Sequence, residues 1–205
     1  MDKRISVAVI RRMPKYYRQL CDLDAAEVTR ISSGTLAARM GLTASQVRQD
    51  FNCFGGFGQQ GYGYNVKELK ESIATILKID QPRTAILIGA GNLAHALMTN
   101  FNFAKYGVKL VAAFDVDPKL IGTQVAGIEI LSNELIDSYV REQKPDIAVL
   151  TLPKAYARER ARKLIDCGIR GIWNFTNIDL QLDVQDVPVE NVNFSESLMV
   201  LSYRM

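Results

Sequence analysis

Two hydrophobic rhythms run along this chain, and one gives way to the other near Asp80-Gln81-Pro82. Before that point the pattern is mostly helical. After it, short β-rich runs alternate with helical ones: TAILIG, NLAHALMTNF, KLVAAFD, NELIDSYVREQ, DIAVLTL, YARERARKLIDCG and GIWNFT. Strands alternating with helices require crossover connections, and those build a parallel sheet. The pattern predicts an α/β chain with a helical unit over 1–80, a doubly wound parallel sheet over 81–190 and a short last helix over 191–205. In PVENVNFSESLMVLSYRM, Ser195 is placed to cap that helix ahead of Leu198, Met199 and Leu201. A helix this short needs support from its own unit or from a partner.

Within the first unit, SSGTLAARMGLTASQVRQDFNCFG has the layout of a helix-turn-helix. Ala37 is small enough for two helices to touch, Gly41 suits the tight turn, and Val47 supplies the inner face of the second helix. Thr43 followed by Gln46 has the form of a capping box. The outward positions are Ala44, Ser45, Arg48, Gln49 and Asn52, residue types that reach base edges or phosphates in a major groove. A plain helical hairpin gives the same pattern.

The next stretch, FGGFGQQGYGY over 54–64, admits three readings. A phosphate-binding loop lacks the GKS/T that should follow, and four aromatics in eleven residues disfavour a loose linker. A hairpin remains, forming the wing of a winged helix. Phe54, Phe57, Tyr62 and Tyr64 would then fasten it, with Gln59 and Gln60 at the tip facing DNA.

In the second unit, Ile86-Leu87-Ile88 leads into Gly89-Ala90-Gly91-Asn92-Leu93-Ala94, a G-x-G-x-x-A motif between a predicted strand and a predicted helix. Gly89 permits the turn, Gly91 lets a pyrophosphate approach the backbone, and Ala94 lets helix and strand pack closely. The next strand ends at Asp115, 26 residues after Gly89. A carboxylate there accepts from ribose hydroxyls and repels a 2′-phosphate, which favours NAD(H) over NADP(H). Thr151, Leu152 and Pro153 end a later strand on the same side and are candidates for the nicotinamide half. The only histidine, His95, lies on a helix face with no partner that would make it catalytic, and no catalytic residue is assigned.

Composition narrows the class. Hydrophobic residues make up 48% of the chain and charged residues 23%, as in a globular protein with a core. No apolar run approaches the roughly 20 residues that cross a bilayer, and the first residues do not read as a signal peptide. Cys21, Cys53 and Cys167 match no zinc spacing; no metal is expected, and the setting implied is a reducing cytoplasm. Residues 1–80 carry 12 Lys/Arg against 8 Asp/Glu, whereas 81–205 carry 13 against 14. The basic excess, clustered at Lys3, Arg4, Arg11, Arg12, Lys15 and Arg18, fits a nucleic-acid surface or a solvated helix face.

In order and spacing, RRMPKYYRQL, SSGTLAARMGL, QVRQDF, FGGFGQQGYGYNVKEL, GAGNLAHAL, FDVDP, TLP, CGIRGIWNF and VNFSESLMVLSYRM resemble the Rex family of redox-sensing transcriptional repressors, along nearly the whole chain. The resemblance implies a winged helix, a Rossmann domain and a C-terminal helix swapped between the chains of a homodimer. It also implies double-stranded operator DNA as partner and release when NADH binds. Rigid-body closure would take the two recognition helices out of register. It further implies switch and dimer roles for Arg18, Asn100, Asn193 and Phe194. Several positions depart from the family pattern. Gln49 stands for a usual lysine, Gln59-Gln60 for basic wing residues, Cys53 for a tyrosine, Asn100 for a tyrosine and Asn193 for an aspartate. Gly56 stands where a bulkier residue is common. Two other readings follow: a NADH-binding paralogue with weakened or altered DNA binding, and an oxidoreductase.

Overall fold

Each helix of the N-terminal unit starts where a short polar side chain can satisfy a free backbone N–H. The computed structural model describes residues 5–57, 62–182 and 187–205. Two units result, Met1–Gln81 and Pro82–Met205.

In the first unit, Ser6, Ser32, Thr43 and Asn65 cap α1 (Val7–Ala25), α2 (Ser33–Met40), α3 (Ala44–Asn52) and α4 (Val66–Ile76). Gly41 ends α2 in the left-handed region at φ +66°, which lets α3 turn back across α2. Met13, Tyr16, Leu20, Leu36, Ala37, Val47, Phe51, Leu69 and Ile73 form the core. β1 (Arg30–Ile31) pairs antiparallel with β2 (Tyr64–Asn65).

The wing differs from the expected hairpin. The strand leaving the glycine stretch pairs with the segment before α2, and Phe54–Phe57 forms no strand. Gly55 and Gly56, at φ +100° and +77°, break the extended backbone there. Phe54 and Phe57 are half-buried against the core and Tyr64 is buried, but Tyr62 is 71% exposed and, among the described residues, is not part of that core. Gln59 and Gln60 lie outside the described residues.

The second unit is built on a seven-stranded sheet ordered β5-β6-β4-β3-β7-β8-β9. Its strands are β3 (Arg83–Ile88), β4 (Val108–Asp115), β5 (Gln124–Val125), β6 (Ile128–Ser132), β7 (Ile147–Leu150), β8 (Gly171–Asn174) and β9 (Val189–Asn191). All pair in parallel except β5, which turns back antiparallel on β6. In chain order the six parallel strands run 3-2-1-4-5-6, the doubly wound dinucleotide order. Alternation along β3 divides the core. Ile86 and Ile88 face α6 (Ile136–Gln143) and α7 (Lys154–Cys167), while Ala85 and Leu87 face α5 (Asn92–Asn100). The β5–β6 hairpin and β9 are elements that the hydrophobic pattern alone did not predict.

The last helix, α8 (Phe194–Arg204), buries none of its residues. Its cap is Asn193 rather than Ser195: Asn193 Oδ1 accepts from Glu196 N at 3.1 Å, and its Nδ2 donates to Glu196 Oε1 at 2.9 Å. Ser195 instead accepts from Asn177 Nδ2 at 3.1 Å.

Candidate cofactor and nucleic-acid sites

The cofactor candidate lies where the strand order reverses, at the carboxyl ends of β3, β4 and β7. A cavity of about 820 Å³ there is lined by Gly89, Gly91, Asp115, Thr151, Leu152 and Pro153 among others. Ala90, Asn92, Leu93 and Ala94 do not line it. Ala90 and Ala94 are buried, and Asn92 and Leu93 open α5.

Gly89 and Gly91 are small for different reasons. Gly89 has φ +92°, and a Cβ on it would meet the Leu152 backbone at 3.0 Å. The fold itself therefore requires it. A Cβ on Gly91 would meet no atom of the described residues within 4 Å, so none of them demands its smallness. Gly91 caps α5 without a side-chain bond. The first intrahelical donor is His95 N, 2.9 Å from Gly91 O, and the preceding amides have no partner one turn back. Free amides beside an unhindered glycine make an anion cradle.

Asp115 holds this loop. Its Oδ2 accepts from Ala90 N at 2.5 Å and its Oδ1 from Asp117 N at 2.8 Å. Thr151 is also engaged, its one hydroxyl proton lying between Gly89 O at 2.7 Å and Ile88 O at 3.1 Å from Oγ1. It braces the turn, so its hydroxyl is less available to a nicotinamide than the sequence suggested. The α7 side of the cavity brings in Tyr156, Glu159, Arg160 and Lys163, and the sheet ends add Val116 and Asn133. Sequence reasoning missed these six, because only the topology brings α7 to the switch point. Lys163, 2.8 Å from Glu159, holds that carboxyl below the usual range, and Arg160 pairs with Asp137 at 3.2 Å. His95 lies on the exposed face of α5. These residues fit a dinucleotide: cradle, ribose-side carboxylate and cavity occur together.

On α3, Ser45, Arg48, Gln49 and Asn52 are exposed on one side, while Val47, Asp50 and Phe51 are buried on the other. Arg48 Nη1 donates to Ser33 Oγ at 3.0 Å. Thr43 Oγ1 accepts from Gln46 N at 3.1 Å, but the Gln46 amide does not close the box; it reaches Asp50 at 2.8 Å. Cys53 is exposed at the end of α3.

Sequence reasoning missed Asp50. It is fully buried, and the Arg12 guanidinium grips it with Nε at 2.6 Å and Nη2 at 2.7 Å. Tyr16 Oη donates to it at 2.8 Å. Arg12, itself only partly buried, is therefore tied to a buried partner and is not a fully solvated member of the basic cluster. Burial alone would raise the Asp50 carboxyl, but bonds from Arg12, Gln46 and Tyr16 outweigh it and hold the group below its ordinary value. A depressed carboxyl stabilises the fold above the unfolded value of about 4, and that stability is lost as pH falls through the folded value. We expect the N-terminal unit to lose stability progressively as pH falls below about 5, and Asp50→Asn to flatten that slope. Denaturation followed by circular dichroism at each pH checks this; Trp173 fluorescence would report the other unit.

The predicted switch residues lie on α1, α5 and the start of α8. Arg18 is exposed on α1, and Asn100 is the exposed last residue of α5. Asn193 caps α8, and Phe194, 56% exposed, meets Phe175 with ring centroids 6.3 Å apart. Among the described residues no helix is long and apolar enough to cross a membrane.

Two family models match the chain: one described as a CoA binding domain over residues 80–178, the other as a putative DNA-binding protein N-terminus over residues 4–52. The redox-sensing transcriptional repressor Rex of Clostridium botulinum (strain Eklund 17B / Type B) is 50% identical over 204 residues, covering 100% of this chain and 97% of its own. Rex of Clostridioides difficile (strain 630) is 48% identical over the same shares. The crystal structure of RSP in complex with β-NAD+ and operator DNA matches with a TM-score of 0.92 at 46% identity, covering 98% of this chain and 92% of that one. RSP in complex with β-NADH matches at 0.90 and 43%, covering 98% and 94%.

A helix-turn-helix unit and a nucleotide-binding Rossmann unit in one chain define a ligand-responsive regulator of transcription. The chain belongs to the Rex family of redox-sensing transcriptional repressors. Family membership places it among repressors and not among the dehydrogenases whose cofactor fold it shares.

Proposed function

We propose that this chain represses transcription by binding operator DNA as a homodimer, and that NADH releases it. The observation that carries the reading is the cradle at Gly91 with Asp115 beside it, in the same chain as an exposed recognition face on α3. RSP, its relative, was crystallised with β-NAD+ and operator DNA and with β-NADH. The α5 amides would take the pyrophosphate, Asp115 the adenosine ribose, and the end of β7 the nicotinamide half. Ser45, Arg48, Gln49 and Asn52 would meet the major groove, and Gln59-Gln60 the flanking backbone. The two chains would join through α8, with residues 191–205 exchanged between them and Arg18, Asn100, Asn193 and Phe194 near the moving contacts. NADH must bind the released arrangement better than the DNA-bound one, since otherwise it shifts nothing. The setting would be the cytoplasm.

Titrating the protein into labelled family-type operator, followed by anisotropy at low salt, tests this. Binding should be tight with NAD+ and should weaken at least about tenfold with NADH, the usual range for a coupling between sites. Operator binding that ignores NADH would reject the switch. A second reading has a specific basis: α3 carries one cation, Arg48, and it is held by Ser33. A paralogue that binds NADH but grips DNA weakly would show NADH binding with no operator shift in any state. Each missing phosphate contact lowers the salt dependence by roughly one unit of slope.

A further inference from the structure

The buried carboxylate of Asp50 asks for a reason beyond packing. Its neighbours on the inner face of α3, Val47 and Phe51, are apolar, and an apolar residue at 50 would fill the same space without the cost of desolvating a charge. What an apolar residue could not supply is direction. Asp50 receives four hydrogen bonds: two from the fork of Arg12, one from Tyr16 and one from Gln46. Arg12 and Tyr16 lie on α1, and Gln46 lies one turn back on α3 itself. Apolar contacts let a helix roll or slide slightly in its seat. A bidentate guanidinium–carboxylate pair does not, because both of its bonds depend on angle. Successive residues of an α-helix are about 100° apart, so the roll fixed at Asp50 also fixes where Ser45, Arg48, Gln49 and Asn52 point.

We propose that Asp50, held by Arg12, is a positioning residue for operator reading: it fixes the roll of α3 against α1 and so sets discrimination between sequences more than total affinity for DNA. The inference rests on the reading of the N-terminal unit as the DNA-binding unit. Base-edge contacts tolerate little misplacement, whereas phosphate contacts from exposed cations tolerate more. Arg12 acts here through Asp50, since its Nε and Nη2 both donate to that carboxylate.

The test compares wild type, Asp50→Asn and Arg12→Lys in the full chain. Asp50→Asn keeps the shape but cannot receive both Arg12 bonds. Arg12→Lys keeps the charge, loses the fork and serves as the milder variant if the first fails to fold. Affinity is measured for operator and for a scrambled duplex of equal length, over a range of salt, alongside NADH binding. The ratio of operator to scrambled affinity should fall by about tenfold or more, the scale of one good base contact. Affinity for the scrambled duplex, salt slope and NADH binding should stay near wild type. A merely structural role predicts that both affinities fall together, and that result overturns the proposal, as does an unchanged ratio. If the wild type itself does not prefer operator, the DNA-binding reading fails first, and the proposal falls with it.

Discussion

Replacing Gly89 by alanine should displace the turn that carries the cradle and so weaken NADH binding by roughly 100-fold or more, about 1.4 kcal/mol being a factor of ten. Two costs combine. Holding a non-glycine residue at a disfavoured positive φ costs on the order of 1–3 kcal/mol, and Gly89 has φ +92°. The added Cβ would also lie 3.0 Å from Leu152 Cα and N and 3.1 Å from Thr151 C. Those are backbone atoms at the end of β7, with no side chain to swing aside. Residue 89 is tied on both sides, donating from N to Phe114 O at 2.8 Å and accepting from Thr151 Oγ1 at 2.7 Å. A shift that relieves the clash therefore pulls on the ends of β4 and β7 together. Gly91→Ala is the informative partner. Its φ of −69° suits alanine and its Cβ would touch no atom of the described residues. The melting temperature should hold for Gly91→Ala and drop for Gly89→Ala, while calorimetry finds NADH affinity reduced in both. Wild-type NADH affinity in Gly91→Ala would place the phosphates elsewhere than at α5.

The parallel sheet was legible because buried parallel strands are short, nearly continuous apolar runs, and those of β3, β4 and β7 stand out between helical stretches. β5 and β9 were not, since elements of two and three residues carry too little pattern to rise above a loop. The glycine motif was legible for a related reason, as its roles are local to the turn. The cavity side chains on α7 were not, because nothing near Tyr156 or Lys163 in the chain records that the helix flanks the switch point. Asp50 is the instructive miss. A carboxylate in a helix reads as solvated, and its partner Arg12 precedes it by 38 residues. Yet Val47, Asp50 and Phe51 stand at i, i+3 and i+4, the spacing of one helix face. A charge between two core positions was the available signal. Asn193 offered another: Glu196 three residues on is the capping-box spacing, which Ser195 lacks.

Placing aspartates at Leu198 and Leu201 should convert the protein from dimer to monomer and cost operator affinity about 100-fold or more, the low end of what linking two binding events supplies. Phe194, Leu198 and Leu201 recur at helical spacing and form one apolar stripe, with 56%, 63% and 56% of their surfaces exposed. An isolated helix of 11 residues is marginal in water, and contacts near its first turn, Phe194 with Phe175 and Ser195 with Asn177, do little for the rest. Such a stripe marks a surface that is covered in the working assembly. A second copy is the occupant that fits, since a repressor reading two half-sites needs two recognition helices at a fixed spacing. Burying a leucine side chain is worth about 1.5–3 kcal/mol, and twofold symmetry counts each substitution twice. Two aspartates should therefore overwhelm the interface without touching either unit's core, because none of α8 belongs to those cores. Sedimentation velocity reads the mass, and circular dichroism confirms that both units still melt as in wild type. A variant that stays dimeric would place the dimer contact elsewhere. A monomer that still binds operator tightly would mean that a single recognition helix suffices, and the spacing argument for NADH release would then lose its physical basis.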